Sequence, residues 1–309
     1  MDIFVSGGNG FLGTHLCAFL EAQGHAVVRP GSSDCDLRKD DSLSAFNSKN
    51  YDLIFHLAAW TQAGDFCLSH PGEQWLINQR INTNLLDWWQ RAQPQAKLIF
   101  MGTSCAYAPQ SRLREEEYMA GEPIESLYTY AMTKRMLFQG ARAMERQYGL
   151  RWFCAVPSTL YGGGYHLDGR QMHFIFDLIR KILRGKEYGE KVVLWGDGSQ
   201  RRELVLVDDF VRILWRLVEK EACGLFNIGA GVEYSIREFA RRICEKVHYP
   251  ESAIYYDTEK YTGAKSKCLC VDKIKGVLPE YSLTPLEEGL SQTIDWFYES
   301  RAFDIQAVY

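Results

Sequence analysis

A tyrosine and a lysine four residues apart, Tyr130 and Lys134, form the pair of side chains with the clearest chemistry in the sequence. On a helix, residues at this spacing lie on one face, so the phenol and the ammonium point in the same direction. A phenol has a pKa of about 10 in water, and a neighbouring positive charge favours its ionised form. The pair therefore predicts proton transfer to or from an oxygen atom of a substrate.

Three glycines near the start of the chain predict a phosphate-binding loop. They follow the apolar run Ile3–Val5 and lead into a predicted helix that begins at Phe11. Gly7 suits a tight turn, Gly10 lets the backbone approach a pyrophosphate, and Gly13 lets the helix pack closely on the strand. The free N–H groups at the start of that helix attract phosphate. The predicted dinucleotide contacts here are Gly7, Gly10, Phe11, Leu12 and Gly13.

The end of the second predicted strand indicates which dinucleotide the loop would bind. Arg29 directly follows Ala26–Val28, where NAD-binding sheets usually carry an acidic residue for the ribose hydroxyls. An arginine there suits a 2′-phosphate, so NADP is the predicted cofactor. Asp34 keeps NAD open as an alternative, and Asp36 and Leu37 are predicted to meet the adenine.

Short apolar runs alternate with amphipathic segments of helical length through the first half of the chain. This alternation is typical of a parallel sheet with helices on both faces, so we predict an α/β fold of the doubly wound Rossmann type. The predicted strands are Ile3–Val5, Ala26–Val28, Leu53–Leu57, Leu98–Met101 and Trp152–Val156, and the predicted helices are Phe11–Gln23, Gln74–Gln90 and Tyr130–Tyr148.

The alternation loosens after Tyr161, where the pattern is broken by three glycines, 162–164. We therefore predict a dinucleotide-binding domain over 1–162 and a smaller, mainly substrate-binding α/β domain over 163–309. Strands from about 192–228 are left free to return to the first sheet. The elements predicted here are helices at Gln171–Leu183, Val207–Glu219, Ser235–Val247 and Pro285–Tyr298, and a strand at Val192–Trp195.

Composition excludes several other classes of protein. Among 309 residues, 35 Lys and Arg stand against 39 Asp and Glu, a net charge of −4 that argues against a nucleic-acid-coating surface. No apolar run approaches the roughly 20 residues of a membrane span. The nine cysteines lack a metal-like CxxC pair, and reduced thiols fit a cytoplasmic protein. We expect no metal site.

Further motifs, read together with the loop and the Tyr–Lys pair, resemble those of the extended short-chain dehydrogenase/reductase superfamily. Within that superfamily, the chain is most similar to the GDP-L-fucose synthase family, and the likeness spans nearly the whole chain. The motifs that carry it include Leu57-Ala58-Ala59, Thr103-Ser104-Cys105-Ala106-Tyr107, Tyr130–Lys134, Pro157-Ser158-Thr159-Leu160-Tyr161-Gly162, His173, Arg202-Glu203 and Phe226-Asn227-Ile228-Gly229.

The resemblance implies roles for five residues. Tyr130 would donate a proton to the C4 oxygen of a sugar. Lys134 would adjust the pKa of Tyr130 and bind the nicotinamide ribose, and Thr103 would take the place of the family's catalytic serine. Cys105 and His173 would carry out epimerisation, because a ketone at C4 acidifies the protons at C3 and C5, and a thiolate and an imidazole can exchange them.

The resemblance also implies contacts for the cofactor and for the substrate. Two departures from the family's pattern, Thr159 in place of an asparagine and Ser266 in place of an arginine, leave the sugar and the base of the nucleotide open. The implied cofactor contacts are Leu57, Ala58, Ala59 and Pro157. The implied substrate contacts are Ser104, Thr159, Arg180, Arg202 and Lys267, of which Arg202 and Lys267 match the family's basic positions at the nucleotide diphosphate.

These observations predict an NADPH-dependent enzyme that reduces the C4 ketone of a nucleotide-linked 4-keto-6-deoxy sugar, preferably a GDP-sugar, with epimerisation at C3 and C5. A 4-reductase without epimerase activity and an NAD-dependent 4-epimerase without net redox remain alternatives. A non-enzymatic nucleotide sensor is disfavoured because Tyr130 and Lys134 are both present. We expect a homodimer, with Leu85–Trp89 and Met136–Phe138 as candidate contact faces.

Overall fold

The computed structural model describes residues 1–63, 66–109, 112–259 and 265–305, and these form an α/β fold around one main sheet. The strands are β1 (Asp2–Ser6), β2 (Ala26–Val28), β3 (Leu53–His56), β4 (Lys97–Met101), β5 (Trp152–Pro157), β6 (Thr159–Tyr161), β7 (Val193–Trp195), β8 (Arg201–Arg202), β9 (Leu204–Leu206), β10 (Gly224–Ile228), β11 (Tyr234–Ser235) and β12 (Tyr255–Asp257). The helices are α1 (Phe11–Ala22), α2 (Phe66–Ser69), α3 (Pro71–Ala92), α4 (Tyr128–Tyr148), α5 (Phe174–Tyr188), α6 (Val207–Glu219), α7 (Ile236–Val247), α8 (Asp272–Val277) and α9 (Leu286–Ser300).

The main sheet has the strand order β2-β1-β3-β4-β5-β10, and all its pairings are parallel. The chain runs outward from β1 to β2 and then returns to place β3 on the other side of β1. Ligands bind at such a reversal, beyond the carboxyl ends of the strands. The predicted Rossmann-type parallel sheet is therefore confirmed, and its switch point lies between β1 and β3.

Alternate strand residues enter two separate apolar cores, because successive side chains of a strand point to opposite faces. Phe4 and Ile54 pack with Trp88 and Trp89 of α3 on one face. The other face is covered by α1 and α6. The segment Leu85–Trp89 is a candidate dimer face, but four of its five side chains lie in the first core. Apolar side chains on α3 are needed there to cover the sheet. A homodimer stays a prediction. The four core side chains of that segment are Leu85, Leu86, Trp88 and Trp89.

A third core lies in the smaller part of the molecule, where α5, α7 and α9 pack together. Two short parallel strand pairs, β6–β9 and β7–β12, and the antiparallel pair β8–β11 belong to this part. The strand at Gly224–Ile228 does return to the main sheet, as its last strand, whereas Val193–Trp195 pairs with β12. The domain division at residue 162 stays a prediction. Among the described residues, none of the helices combines the length and apolar character needed to cross a bilayer.

A buried hydrogen-bond network joins the switch point to the helix that carries the Tyr–Lys pair. The Ser6 hydroxyl lies 2.7 Å from His56 Nδ1, and His56 Nε2 lies 3.1 Å from Asn82 Oδ1. Because an amide oxygen only accepts, Nε2 donates and Nδ1 accepts from Ser6. The Asn82 amide donates to the Thr133 carbonyl at 3.4 Å. Burial, and then the charge of Lys134, lowers the pKa of His56 to about 4, so its ring is neutral.

The first prediction concerns the stability of this network. Asn82→Ala should lower the free energy of unfolding by about 1–3 kcal/mol, because it leaves the buried N–H of His56 without a partner and removes the hydrogen bond to the Thr133 carbonyl. Asn84→Ala on the same helix is the matched control, since the Asn84 amide donates to the half-buried Leu37 carbonyl. It should cost about 0.5–1.5 kcal/mol. Urea denaturation measures both, and equal losses would contradict the interpretation.

A second polar contact connects α1 to the glycine-rich segment that follows β6. His15 Nδ1 lies 2.6 Å from Asp208 Oδ1, and Nε2 lies 3.0 Å from the Gly163 carbonyl oxygen. Both partners are acceptors, so the ring donates from both nitrogens only when it is protonated. Burial opposes this charge, but the hydrogen bond and charge of Asp208, with the Gly163 carbonyl, raise the pKa of His15 above its ordinary value.

The second prediction is the pH dependence of that contact. His15→Gln should destabilise the protein by about 1 kcal/mol, the upper range for a pair whose carboxylate is largely exposed. A raised folded pKa gives stability that is complete below the unfolded pKa of about 6.5 and is lost as pH rises through the folded value. The difference from wild type, measured by urea denaturation from pH 5 to 9, should shrink with rising pH. A difference that stays constant or grows would contradict this.

Candidate active site

The glycine loop closes tightly against the end of β3. Gly7 has a φ of +72°, and a Cβ there would come within 2.7 Å of the Ala58 amide nitrogen. At Gly13 a Cβ would lie 2.2 Å from the Gly7 carbonyl oxygen, so α1 can approach the loop only without a side chain. The loop and the Leu57-Ala58-Ala59 segment are therefore neighbours at the switch point.

The start of α1 fits a pyrophosphate. Gly10 is the N-cap residue, no side chain caps the helix, and its first turn carries no acidic residue. The first N–H groups of the helix, which include those of Phe11 and Leu12, are thus left to an outside acceptor, and a helix N-terminus favours a negative one. The side chain of Phe11 does not cap these N–H groups: its ring packs against Tyr165 and Phe176, at centroid distances of 5.2 and 5.7 Å.

The three predicted contacts for the adenosine end, Arg29, Asp36 and Leu37, lie on the segment that follows β2, where Leu37 is buried in the first core. The Cβ of Arg29 is 2.6 Å from the place where a Cβ of Gly8 would lie, so Arg29 borders the glycine loop. Asp36 accepts two hydrogen bonds from the Arg38 guanidinium, at 2.7 and 2.8 Å. Those bonds lower the pKa of Asp36 to about 2. Sequence reasoning missed Arg38, a second cation in this region.

Tyr130 and Lys134 lie near the start of α4, and Thr103 lies beyond the end of β4. The Lys134 ammonium is 5.9 Å from the centre of the Tyr130 ring. The expected lowering of the phenol pKa is not found. Burial, with the neighbouring thiols of Cys105 and Cys67, raises the pKa of Tyr130, and the hydrogen bond with Thr103 only partly opposes this. Tyr130 is therefore protonated at neutral pH and suited to donate its proton.

Lys134 is the buried cation of the site. It is 5% exposed, and burial lowers its pKa to about 8, opposed by the thiol of Cys154. At neutral pH the ammonium form still predominates. A buried positive charge beside a phenol can stabilise the negative charge that the phenol acquires when it gives up its proton.

Cys105 contacts a lysine that lies far away in the sequence. The Lys267 ammonium is 3.2 Å from the Cys105 sulfur, and the Cys105 amide donates to the Thr103 hydroxyl at 3.2 Å. Burial alone would raise the pKa of this thiol. The charge of Lys267, with hydrogen bonds from Thr103, Lys267 and Ser104, outweighs burial and lowers the pKa of Cys105 below its ordinary value.

His173 lies in the segment before α5, and its backbone amide donates to the Tyr165 hydroxyl at 3.3 Å. The residue is exposed, although neighbouring protein atoms reduce the hydration of its ring. The surrounding protein, followed by the charges of His166 and Lys267, lowers the pKa of His173 to about 4. Lys267 thus shifts the pKa values of both predicted epimerisation residues.

The other predicted substrate contacts are less uniform. Arg180 is 5% exposed and lies 2.6 Å from Asp177, so it is tied to its own helix. Arg202 donates to the Arg201 carbonyl at 2.7 Å. Their substrate roles, with those of Ser104 and Thr159, stay predictions.

One residue beside Thr159 was missed by sequence reasoning. The buried Ser158 hydroxyl has no hydrogen-bond partner within the described part of the chain. It lies between Thr159 and Pro157, the last residue of β5 and a predicted cofactor contact, at the carboxyl edge of the sheet. An unpartnered buried hydroxyl costs stability unless a ligand satisfies it, so Ser158 joins the candidate contacts.

Two plant proteins are similar to this chain over most of their length. The "Probable GDP-L-fucose synthase 1" of Oryza sativa subsp. japonica is 30% identical over 96% of this chain and 92% of its own. The GDP-L-fucose synthase 1 of Arabidopsis thaliana is 30% identical over 96% of this chain and 93% of its own.

Two solved structures share the fold. A GDP-L-fucose synthetase from Naegleria fowleri bound to NADP is 24% identical, with a TM-score of 0.87 over 97% of this chain and 93% of that one. The UDP-glucose 4-epimerase from Thermotoga maritima with UDP-glucose is 23% identical, with a TM-score of 0.84 over 97% of this chain and 100% of that one.

The model of the family "NAD dependent epimerase/dehydratase family" matches residues 3–229, which span the main sheet from β1 to the end of β10. This match contains the glycine loop, Thr103, Cys105 and the Tyr–Lys pair. The chain therefore belongs to the NAD dependent epimerase/dehydratase family and is an NAD(P)-dependent enzyme of the extended short-chain dehydrogenase/reductase type.

Proposed function

We propose that this enzyme uses NADPH to reduce the C4 ketone of a GDP-linked 4-keto-6-deoxy sugar and epimerises the sugar at C3 and C5 with Cys105 and His173. The observation that carries the proposal is the Cys105–Lys267 contact in the cleft of Tyr130. A simple dehydrogenase needs only a proton donor, here Tyr130, and a hydride. A thiol of lowered pKa beside Tyr130 adds a group that can remove a proton from a carbon atom of the sugar. The plant relatives' names support a GDP-sugar as the substrate.

The cofactor assignment rests on Arg29. Its position beside the glycine loop suits a guanidinium that pairs with a 2′-phosphate, and arginine binds phosphate through two parallel hydrogen bonds. The Naegleria fowleri synthetase of the same fold binds NADP. When bound, the reduced nicotinamide supplies the hydride, and the residues of the chain supply the orientation and the proton.

In the reduction, Tyr130 donates its proton to the C4 oxygen while Thr103 hydrogen-bonds the same oxygen. The phenol pKa is raised by burial, so the proton is present at neutral pH and leaves only when negative charge develops on the oxygen. Lys134 stabilises the phenolate that remains. Aligned donors of this kind act most strongly in a site from which water is excluded.

In the epimerisation, Cys105 and His173 are the two groups that exchange protons with carbon. Cys105 has a lowered pKa, and His173, with a pKa of about 4, is neutral. Either group can take a proton from C3 or C5, and the electron pair moves to the C4 oxygen as an enolate. The proton returned to the opposite face then comes from a group that solvent has protonated. Each inverted carbon should therefore carry one solvent-derived hydrogen.

The third prediction tests this chemistry in heavy water. With GDP-4-keto-6-deoxymannose and NADPH, we expect loss of NADPH absorbance together with deuterium at C3 and C5, read by NMR. Loss of NADPH without deuterium would leave a 4-reductase and remove the epimerase assignment. No loss of NADPH would contradict the proposed substrate or the net reduction, and the cofactor that copurifies would then decide whether the enzyme is an NAD-dependent 4-epimerase.

Two pairs of variants assign the steps. Cys105→Ser should reduce deuterium incorporation by about 10²–10⁴-fold, the usual contribution of a general acid or base, while Cys223→Ser at an exposed cysteine leaves it unchanged. Tyr130→Phe should slow NADPH oxidation by a similar factor, with Tyr148→Phe, at the exposed end of the same helix, as control. Deuterium incorporation that survives in Cys105→Ser would remove Cys105 from the mechanism.

The fourth prediction concerns cofactor choice. Arg29→Ala should raise the KM for NADPH about 10–100-fold, because a charge-assisted hydrogen bond contributes about 1.5–3 kcal/mol, and it should leave the KM for NADH nearly unchanged. Arg38→Ala is the matched control, since the Arg38 guanidinium pairs with Asp36 at 2.7 Å, whereas the Arg29 guanidinium lies 3.8 Å from Glu21. An equal change for both cofactors in Arg29→Ala would contradict the assignment.

A further inference from the structure

The contact between Lys267 and Cys105 is not explained by the diphosphate role that the resemblance implies for Lys267. The Lys267 ammonium lies 3.2 Å from the Cys105 sulfur. A phosphate anchor needs only to lie near the diphosphate, whereas this lysine is in direct contact with the group that the proposed function uses as a base. The inference below rests on that proposed function.

Two carboxylates fix the backbone on which Lys267 lies. Glu233 accepts from the Lys267 amide at 3.2 Å and from the Ser266 hydroxyl at 2.8 Å. Glu203, which is 2% exposed, accepts from the Leu269 amide at 3.0 Å and from the Gly231 amide. The segment is thus pinned on both sides of Lys267, so its side chain leaves from a fixed position.

The cysteine is fixed as well. Its amide donates to the Thr103 hydroxyl, which is the N-cap contact of the short turn that carries Cys105. The titratable groups that face it are Lys267, Tyr130 of α4 and Cys67 of α2. Of these only Lys267 is positively charged, and it is the one whose charge favours the ionised sulfur.

We propose that Lys267 is a positioning residue that keeps Cys105 in its thiolate form before any sugar binds. A thiolate that already exists can take a proton from the carbon beside the ketone directly: the C–H bond breaks, an S–H bond forms, and the carbon's electron pair passes to the C4 oxygen. Because ammonium and thiolate neutralise each other, the cleft can contain the ionised base without an uncompensated charge.

The fifth prediction measures the ionisation of Cys105 in the full-length, substrate-free protein. Iodoacetamide reacts with thiolates, so the rate of alkylation at the Cys105 peptide, read by mass spectrometry from pH 5 to 10, reports the ionised fraction. Lys267→Met should raise the midpoint by at least one pH unit, so that alkylation becomes roughly tenfold slower at pH values below both midpoints. Lys267→Arg keeps the charge and should stay near wild type.

The control is Arg202→Met, which removes the other basic residue expected at the diphosphate. The Arg202 guanidinium donates to the Arg201 carbonyl. It should leave the Cys105 midpoint where it is. Alkylation of the exposed Cys223 in the same samples checks the reagent, and the buried Cys17 and Cys154 stay unmodified where the variant is folded. An unmoved midpoint in Lys267→Met, or an equal shift in Arg202→Met, would overturn the proposal.

This measurement uses no sugar and no cofactor, so its outcome is independent of the heavy-water experiment. Deuterium incorporation with an unmoved Lys267→Met midpoint would overturn the positioning role and leave the proposed function intact. Deuterium that disappears in Lys267→Met and is restored in Lys267→Arg, together with the shifted midpoint, supports the role.

Discussion

The hydrogen bond between Ser6 and His56 joins the carboxyl ends of β1 and β3, and the rest of the active-site geometry depends on that junction. On one side it adjoins the glycine loop, where Gly7 approaches Ala58 too closely for any side chain. On the other side it continues through Asn82 to the turn of α4 that precedes Lys134. The phosphate-binding loop and the catalytic helix therefore share one buried anchor.

The site shifts the pKa values of two neighbouring groups in opposite directions. Tyr130 and Cys105 are both half-buried, and the surrounding protein raises the pKa of each side chain. Tyr130 faces thiols and stays protonated, whereas Cys105 faces an ammonium and favours the thiolate. Sites that perform acid and base chemistry at one pH separate the pKa values of their groups in this manner. Here the separation depends on which residue lies opposite each group.

Much of the fold could be predicted from the sequence because its signals are local. The apolar runs and the glycine spacing identified β1 to β5 and the start of α1 to within two residues. Tyr130 and Lys134 were identifiable because helical periodicity alone sets their common face. For β10 (Gly224–Ile228), the sequence indicates only that a strand from this region could return to the main sheet. Nothing local to that strand specifies which sheet it joins.

The contacts that determine the chemistry were not visible in the sequence, for a physical reason. Lys267 and Cys105 are brought together by the carboxylates of Glu203 and Glu233, and such long-range hydrogen bonds leave no periodic pattern. The raised pKa of Tyr130 was missed for a related reason. Its charge environment was judged from Lys134 alone, whereas the deciding effect is burial by residues from other elements.

The ring of Phe11 has a consequence for the rigidity of the whole site. It stands at the first turn of α1 and contacts Tyr165 and Phe176, which are stacked at 3.8 Å, and the Tyr165 hydroxyl accepts from the His173 amide. Three interlocked rings thus span the gap between the two parts of the molecule. The packing of these three rings therefore sets the distance between the phosphate-binding turn and His173.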